Sequence, residues 1–166
     1  MAEATTQSLL HDLIITDLSN DDLTGQISSQ LGVGYLQLAD QSIVDQSIGI
    51  IYGPGHRLMV ALPVRINHQI RWVIFLVDTG SPSTFICQQA IEAFNSCFRN
   101  IHKLDNIVQS FSVIINGQRQ LINLPPANSH FTEINVLGTD FLQTNNCQVN
   151  IDFGRQRFTL SMGSVD

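Results

Sequence analysis

Basic residues are scarce in this chain of 166 residues, where eight lysines and arginines stand against 14 acidic residues. The net charge of −6 argues against nucleic-acid binding, which requires a basic face. No apolar run reaches the roughly 18 residues of a membrane span, and the N-terminus lacks the pattern of a signal peptide. We therefore expect no nucleic-acid partner, no membrane partner and an intracellular, cytoplasmic location.

Cysteine is also sparse. The three cysteines, Cys87, Cys97 and Cys147, cannot all pair within one chain, and their spacings fit no zinc pattern. We interpret them as reduced thiols, and we expect neither a metal nor another cofactor. Apolar residues make up 43% of the chain, which is enough to build a packed core.

Charge divides the chain into two parts. Residues 1–56 contain seven acidic residues and no lysine or arginine, and the two parts meet near a Gly-Pro-Gly sequence at 53–55. We predict an acidic N-terminal extension over residues 1–55 and a main domain over 56–162. The extension is either a pro-segment that covers the main domain sterically or the source of an added strand at 48–52. We favour the strand because it leads through a tight turn into the first strand of the main domain.

The apolar patterns predict a mainly β domain with short helices. The run at 72–77 is almost unbroken in apolarity, which indicates a strand buried on both faces. Asn116-Gly117 is the turn signal of a β-hairpin. The predicted strands are 57–66, 70–77, 111–115, 120–124, 134–137, 148–153 and 157–162, with a short strand at 35–38. The predicted helices are 22–31, 87–98 and 140–144, the last capped by Thr139 or Asp140, whereas 9–14 suits either a helix or a strand.

Two motifs carry the candidate chemistry. The apolar strand ends directly in Asp78-Thr79-Gly80-Ser81, where the glycine lets a backbone amide approach the carboxylate. The alternative interpretation is a plain turn aspartate at a strand end. Val136-Leu-Gly-Thr-Asp140 follows about sixty residues later, with two apolar residues and a glycine leading into a short helix.

Order and spacing of these motifs resemble the retropepsins, which comprise retroviral and retrotransposon proteases and cellular retroviral-like proteases of the DNA-damage-inducible type. The resemblance covers about residues 57–162. It implies an all-β fold: a retropepsin-like closed β-barrel that forms half of an active site, with one or two short helices. It also implies a flap, whose tip would fall at about 98–106.

The resemblance implies an aspartic endopeptidase that hydrolyses polypeptide substrates without a cofactor or metal. Asp78 would be catalytic, Thr79 and Gly80 would support the active-site loop, and the substrate-binding residues would be Leu76, Ser81 and Val136. The chain holds a single Asp-Thr-Gly sequence. The resemblance implies a catalytic pair of aspartates, so the second aspartate must come from another copy of the chain. This implies a homodimer.

The chain departs from the family pattern at some positions. Pro82-Ser83 and Thr139 stand where viral members carry charged residues, and no glycine occurs between Gly80 and Gly117 to form a flap tip. An alternative function is therefore a catalytically weak dimerisation or peptide-binding module with the retropepsin fold.

Overall fold

Eight strands and three helices form the part of the chain that the computed structural model describes, residues 15–94, 110–123 and 133–163. The strands are β1 (Gln46–Tyr52), β2 (Arg57–Ile66), β3 (Gln69–Val77), β4 (Ser110–Ile115), β5 (Gln118–Asn123), β6 (Asn135–Leu137), β7 (Gln148–Asp152) and β8 (Arg157–Ser161). Helix α1 consists of three consecutive segments, Asn20–Asp22, Leu23–Ile27 and Ser28–Leu31, and is followed by α2 (Gln88–Ala93) and α3 (Thr139–Thr144). The protein is mainly β, as its sequence predicts.

All eight strands belong to one sheet, whose main path runs β5-β4-β2-β1-β8-β7. β3 lies off this path, where it pairs antiparallel with β2 and parallel with β6. The opposite edge of β2 is divided, because β1 pairs with its beginning and β4 with its end. β2 is thus the strand at which the sheet branches, and β3 is enclosed between β2 and β6.

The closed barrel that the resemblance implied is wrong, because the strands form an open sheet. In the described ranges the main path ends at β5 on one side and at β7 on the other. Phe85 bridges Asn123 at the end of β5 and Val136 in β6, but both are isolated bridges rather than ladders. β6 has three residues, and they form their ladder with β3.

The end of β3 is the most apolar part of the sheet. Residues 73–77 are all buried, with at most 5% of each residue exposed. This confirms, for these residues, the burial on both faces that the unbroken apolar run predicted. The strand that leads to Asp78 is therefore held rigidly by packing on its faces and by backbone pairing along its edges.

The hairpin between β4 and β5 turns at the predicted residues. Asn116 and Gly117 both adopt left-handed backbone conformations, with φ of 48° and 78°. Asparagine and glycine tolerate this conformation best, and it matches the twist of the paired strands. The Asn116 side chain also accepts a hydrogen bond from the Val44 amide at 2.6 Å and donates one to the Val44 carbonyl at 2.9 Å. The Asn116 side chain thereby holds the segment before β1 against the hairpin turn.

The chain before β1 also pairs with β3. The amides of Leu36 and Ala39 donate to carbonyl oxygens of β3, and the Trp72 amide donates to the Gln37 carbonyl. The strand predicted at 35–38 is reduced to one bridge, Leu38 to Arg71, since Leu36 has a left-handed backbone with φ of 65°. This segment and β6 together satisfy both halves of the free edge of β3.

Helix boundaries differ in part from the predicted ones. α1 begins two residues before the predicted start, because Ser19 caps it and exchanges hydrogen bonds with Asp22 in a capping box. α2 starts at Gln88, one residue after the predicted start, and ends at Ala93 with Phe94 as its C-cap, so it is shorter than the predicted helix 87–98. Residues 95–98 of the predicted helix, the predicted flap tip at 98–106 and the ambiguous segment 9–14 lie outside the described residues.

We predict that a chain starting at Gly53 will not yield a stable fold. Such a truncation removes β1, which pairs with both β2 and β8, and it removes the segment that covers the edge of β3. Exposed strand edges favour aggregation. Sedimentation and circular dichroism should show an aggregated or unfolded product.

The matched control is a chain of residues 15–166, which retains every described contact and should stay folded. A Gly53 truncation as stable as the full chain would contradict a structural role for β1, and a soluble, more active product would instead support the steric pro-segment.

Candidate active site

Asp78 lies immediately after β3 at the point where the sheet ends. Its amide donates to the Leu137 carbonyl of β6 at 3.1 Å, one residue beyond the last pair of the parallel ladder, Val77 with Leu137. The residue is half-buried. The buried strand pair therefore fixes the backbone of Asp78 and leaves its carboxylate at the edge of the core.

The loop after Asp78 folds back on the carboxylate. The Gly80 amide donates to Asp78 Oδ1 at 2.9 Å, and the Ser81 amide donates to the Asp78 carbonyl at 3.2 Å. A Cβ on residue 80 would lie 3.2 Å from the same carboxylate oxygen, which is a tight contact. The glycine in the Asp-Thr-Gly sequence thus allows the amide to approach the carboxylate. Thr79 and Gly80 themselves are exposed.

The residues predicted to bind substrate lie close in the fold but differ in exposure. Leu76 and Val136 are partners in the β3–β6 ladder, and both are buried in the single chain. Ser81 is half-buried and donates its hydroxyl to the Ser83 carbonyl at 2.8 Å. Within one chain, the side chains of Leu76 and Val136 belong to the buried core. Their role in lining a substrate cleft stays a prediction.

Gly138 lets the end of β6 pack directly against the active-site loop. A Cβ at this position would collide with the Ser83 carbonyl and lie 2.8 Å from the Ser81 carbonyl oxygen. The next residue, Thr139, donates both its amide, at 2.8 Å, and its hydroxyl, at 3.2 Å, to that Ser81 oxygen. The loop that starts at Asp78 is therefore tied at its far end to the beginning of α3.

A second set of polar contacts also joins the loop after Asp78 to the beginning of α3. The buried Thr84 hydroxyl donates to Asp140 Oδ1 at 2.6 Å and accepts from the Gly138 amide at 3.0 Å. Gln120 of β5 donates to Asp140 Oδ2 at 2.9 Å. The prediction that Thr139 or Asp140 caps α3 is wrong, because Gly138 is the N-cap residue and the Asp140 carboxylate joins β5, α3 and the loop instead.

Asn135 forms the deepest polar contacts beneath the site. Its side-chain amide donates to the Ile74 carbonyl at 2.9 Å and to the Tyr35 hydroxyl at 2.8 Å, and its oxygen accepts from the Cys87 amide at 2.9 Å. Burial raises the pKa of the Cys87 thiol and of the Tyr35 hydroxyl above their ordinary values, so both stay neutral. The single side chain of Asn135 thereby connects β6, β3, α2 and the segment before β1.

Sequence reasoning missed Tyr35, Thr84, Gln120 and Asn135 as supports of the site. Each is a single polar residue without a motif, and its partners are far away in the chain. The buried position of Asn135 at the start of an apolar strand is the only sequence signal that could have drawn attention to it, because a buried amide needs partners.

No group of three or more histidines, cysteines and carboxylates in the described ranges is placed to hold a metal ion. Over those same residues, no helix combines the length and the apolar character needed to cross a membrane. No protein-family model matches the chain, and no curated protein and no solved structure matches it either. Its function is therefore inferred from its own residues.

We predict that Gly138→Ala destabilises the protein by roughly 3 kcal/mol, since backbone rather than a flexible side chain occupies the space that the methyl group would need. Thermal unfolding should show a clear fall in melting temperature. Gly25→Ala is the control, because no atom lies within 4 Å of a Cβ at that helical position, and alanine should stabilise by about 1 kcal/mol. Equal melting temperatures for Gly138→Ala and the wild type would contradict the close packing at Gly138.

Proposed function

We propose that this protein is an aspartic endopeptidase of the retropepsin type, with Asp78 as its catalytic residue. The observation that carries the proposal is the geometry of Asp78, whose backbone is fixed by β6 while the Gly80 amide holds its carboxylate. Because the contact from the Gly80 amide to Asp78 is also that of an Asx turn, the proposal draws in addition on the Asp78-Thr79-Gly80-Ser81 sequence and on the Gly138 segment that packs against this loop.

In the proposed reaction two aspartates, one from each chain of a homodimer, share a single proton, because two like charges so close together cannot both ionise. The ionised carboxylate takes a proton from a water molecule, which attacks the carbonyl carbon of the peptide bond. The protonated carboxyl polarises the carbonyl oxygen. A proton then passes to the leaving amine, and the peptide bond breaks.

The supporting roles follow from the loop. Gly80 holds the Asp78 carboxylate, and Thr79 is exposed beside it, where a second copy of the loop can approach. Ser81, Leu76 and Val136 are proposed to bind the polypeptide substrate, which requires a rearrangement that exposes Leu76 and Val136, because both are buried in the single chain. The free thiols of Cys87 and Cys147 suit a reducing, intracellular compartment, which is the proposed location.

A second candidate is a peptide-binding or dimerisation module with little catalysis. It is favoured by Pro82 and Ser83, which follow the active-site loop without providing a carboxylate for a substrate backbone. Mixed peptides incubated at about pH 4 to 7, with and without a statine-type transition-state mimic, separate the two. Cleavage that the mimic blocks supports the protease, whereas binding without turnover supports the module.

We predict that Asp78→Asn abolishes peptide cleavage, reducing kcat/KM by roughly 10³-fold or more, because asparagine can neither accept nor release the shared proton. The variant should fold like the wild type, since the Asn side-chain oxygen can still accept from the Gly80 amide. Asp45→Asn, at an exposed position, is the charge-matched control and should keep full activity. Undiminished cleavage by the Asp78 variant would exclude Asp78 as the catalytic residue.

Activity should also depend on chain concentration. With one Asp-Thr-Gly per chain, the rate should scale with the square of total chain concentration below the dimer dissociation constant. Sedimentation and cleavage measured over one dilution series provide the comparison. Constant specific activity in samples that sediment as monomers would rule out a site shared by two chains.

A further inference from the structure

Two arginines and an apolar residue form a row across the outer face of the sheet. Arg65 of β2 pairs with Ile114 of β4, and Ile114 pairs with Arg119 of β5. Cross-strand partners project from the same face of a sheet. The residues on either side of Arg65 and Ile114 in their strands are buried in the core, namely Val64, Ile66, Val113 and Ile115. The row therefore points away from the core, with both arginines exposed and Ile114 half-buried between them.

Neither arginine of this row is engaged by another side chain of the described residues. The ion pairs found within residues 15–94, 110–123 and 133–163 involve Arg57 and Arg155 instead. Arg71 of β3 donates to the Leu36 carbonyl at 2.7 Å, whereas Arg65 and Arg119 make no side-chain hydrogen bond within those ranges. In a chain with a net charge of −6, two unpaired guanidinium groups on one face form a local site for an anionic partner.

A cleft with an apolar floor opens beside the row. The ladder between β2 and β4 has two pairs, Val64 with Ile115 and Arg65 with Ile114, and the cleft lies where this ladder stops. Its volume is about 300 Å³, at the lower end of the range for ligand pockets, so it suits one or two side chains. Buried Ile66 and Val113 line it together with Ile114, and the polar residues around it are Arg65, Asn67, Ser112 and Arg119.

Apolar surface continues beside the cleft on β5. Leu121 is the cross-strand partner of Ser112, one of the residues that line the cleft, and it is 57% exposed. Ser112 and Leu121 lie on the same face of the hairpin as Ile114 and Arg119, because residues two apart in a strand share a face. This face thus combines two positive charges with exposed apolar side chains.

We propose that this face binds an acidic peptide segment, whose carboxylates pair with Arg65 and Arg119 while an apolar side chain between them enters the cleft beside Ile114. Carboxylates match the forked donors of a guanidinium, which can hold both oxygens at once. The apolar floor requires an apolar group from the ligand, because a polar group buried there would lose its hydrogen bonds to water.

The spacing of the row fits a peptide better than a compact anion. Strands lie about 4.8 Å apart, so the Cα atoms of Arg65 and Arg119 are separated by about 10 Å. In an extended peptide, residues i, i+2 and i+4 face one side, and the outer two are about 13 Å apart. The long arginine side chains can take up the difference. A single phosphate would instead need both guanidinium groups to converge above the Ile114 side chain.

The proposed peptide site lies far from Asp78. Arg65 pairs with Ile70 near the start of β3, and Asp78 follows the end of that strand, eight residues after Ile70. At about 3.3 Å per residue this is a distance of about 26 Å. Peptide binding at this face is therefore independent of the proposed function, and it can also be measured in Asp78→Asn, which is expected to cleave no peptide.

The test is a titration of 15N-labelled full-length protein with the peptide Gly-Ser-Glu-Ser-Leu-Ser-Glu-Ser-Gly at low salt, followed by NMR. Amide signals of residues 64–67, 112–115 and 119 should shift. Arg65→Gln and Arg119→Gln should each weaken binding roughly fivefold, and the double variant roughly tenfold or more, with a further loss in high salt. Peptides with glutamine in place of glutamate, or serine in place of leucine, should bind more weakly.

Arg155→Gln is the matched control, since it removes one exposed positive charge at the turn between β7 and β8 and should leave the affinity unchanged. All the replaced arginines are exposed, so melting temperatures close to that of the wild type are expected.

An unchanged affinity in the double variant, shifts confined to other residues, or no binding by the wild type at millimolar peptide would overturn the proposal. Displacement of the peptide by inorganic phosphate, but not by chloride of equal ionic strength, would indicate a phosphate site instead and would also overturn it. Binding here without any peptide cleavage by the wild type would leave this site standing while the protease assignment fails.

Discussion

The parallel pairing of β3 with β6 is the contact on which the arrangement of the candidate site depends. It joins strands that are separated by almost sixty residues of chain, and it ends in the bond from the Asp78 amide to the Leu137 carbonyl. A ladder of three residues supplies few backbone hydrogen bonds. The Asn135 side chain adds the bond to the Ile74 carbonyl, so a slip in register would break a buried polar contact as well as the ladder.

The N-terminal segment before β2 is an integral part of the fold around the β3–β6 strand pair. It contributes β1 between β2 and β8, it pairs with the edge of β3 that β6 leaves open, and its Tyr35 reaches the buried Asn135. These contacts join the described part of the acidic segment to the rest of the domain. In residues 15–52, the attachment includes apolar burial and backbone pairing together with the ion pair of Asp17 with Arg57.

The loop after β3 is held at both ends. Leu137 fixes the backbone at Asp78, and Thr139 fixes the Ser81 carbonyl, while Gly138 allows the close approach between them. A carboxylate kept in one position by the surrounding backbone is a requirement for general acid–base chemistry, because reorganisation at the moment of reaction costs free energy. The proposed site also requires a second copy of the chain, since each chain supplies one such carboxylate.

The sequence by itself determined the features that depend on neighbours in the chain. The apolar run predicted the buried end of β3, Asn116-Gly117 predicted the hairpin, and Asp78-Thr79-Gly80 marked the loop, because burial, turn geometry and the amide-to-carboxylate contact all arise within a few residues. The start of α1 was predicted two residues too late. The apolar pattern placed it at Asp22, whereas the capping box of Ser19 starts the helix at Asn20.

Only the tertiary structure decided what depends on distant partners. Asn135 meets Tyr35 across 100 positions, Thr84 meets Asp140 across 56, and Arg57 meets Asp17 across 40. It also decided that the sheet stays open, since the choice of pairing partner for each strand depends on contacts between distant residues and not on a local pattern. Hydrogen bonds and ion pairs of this kind leave no periodic trace in a sequence, because a single polar residue acquires its partner only when the chain has folded.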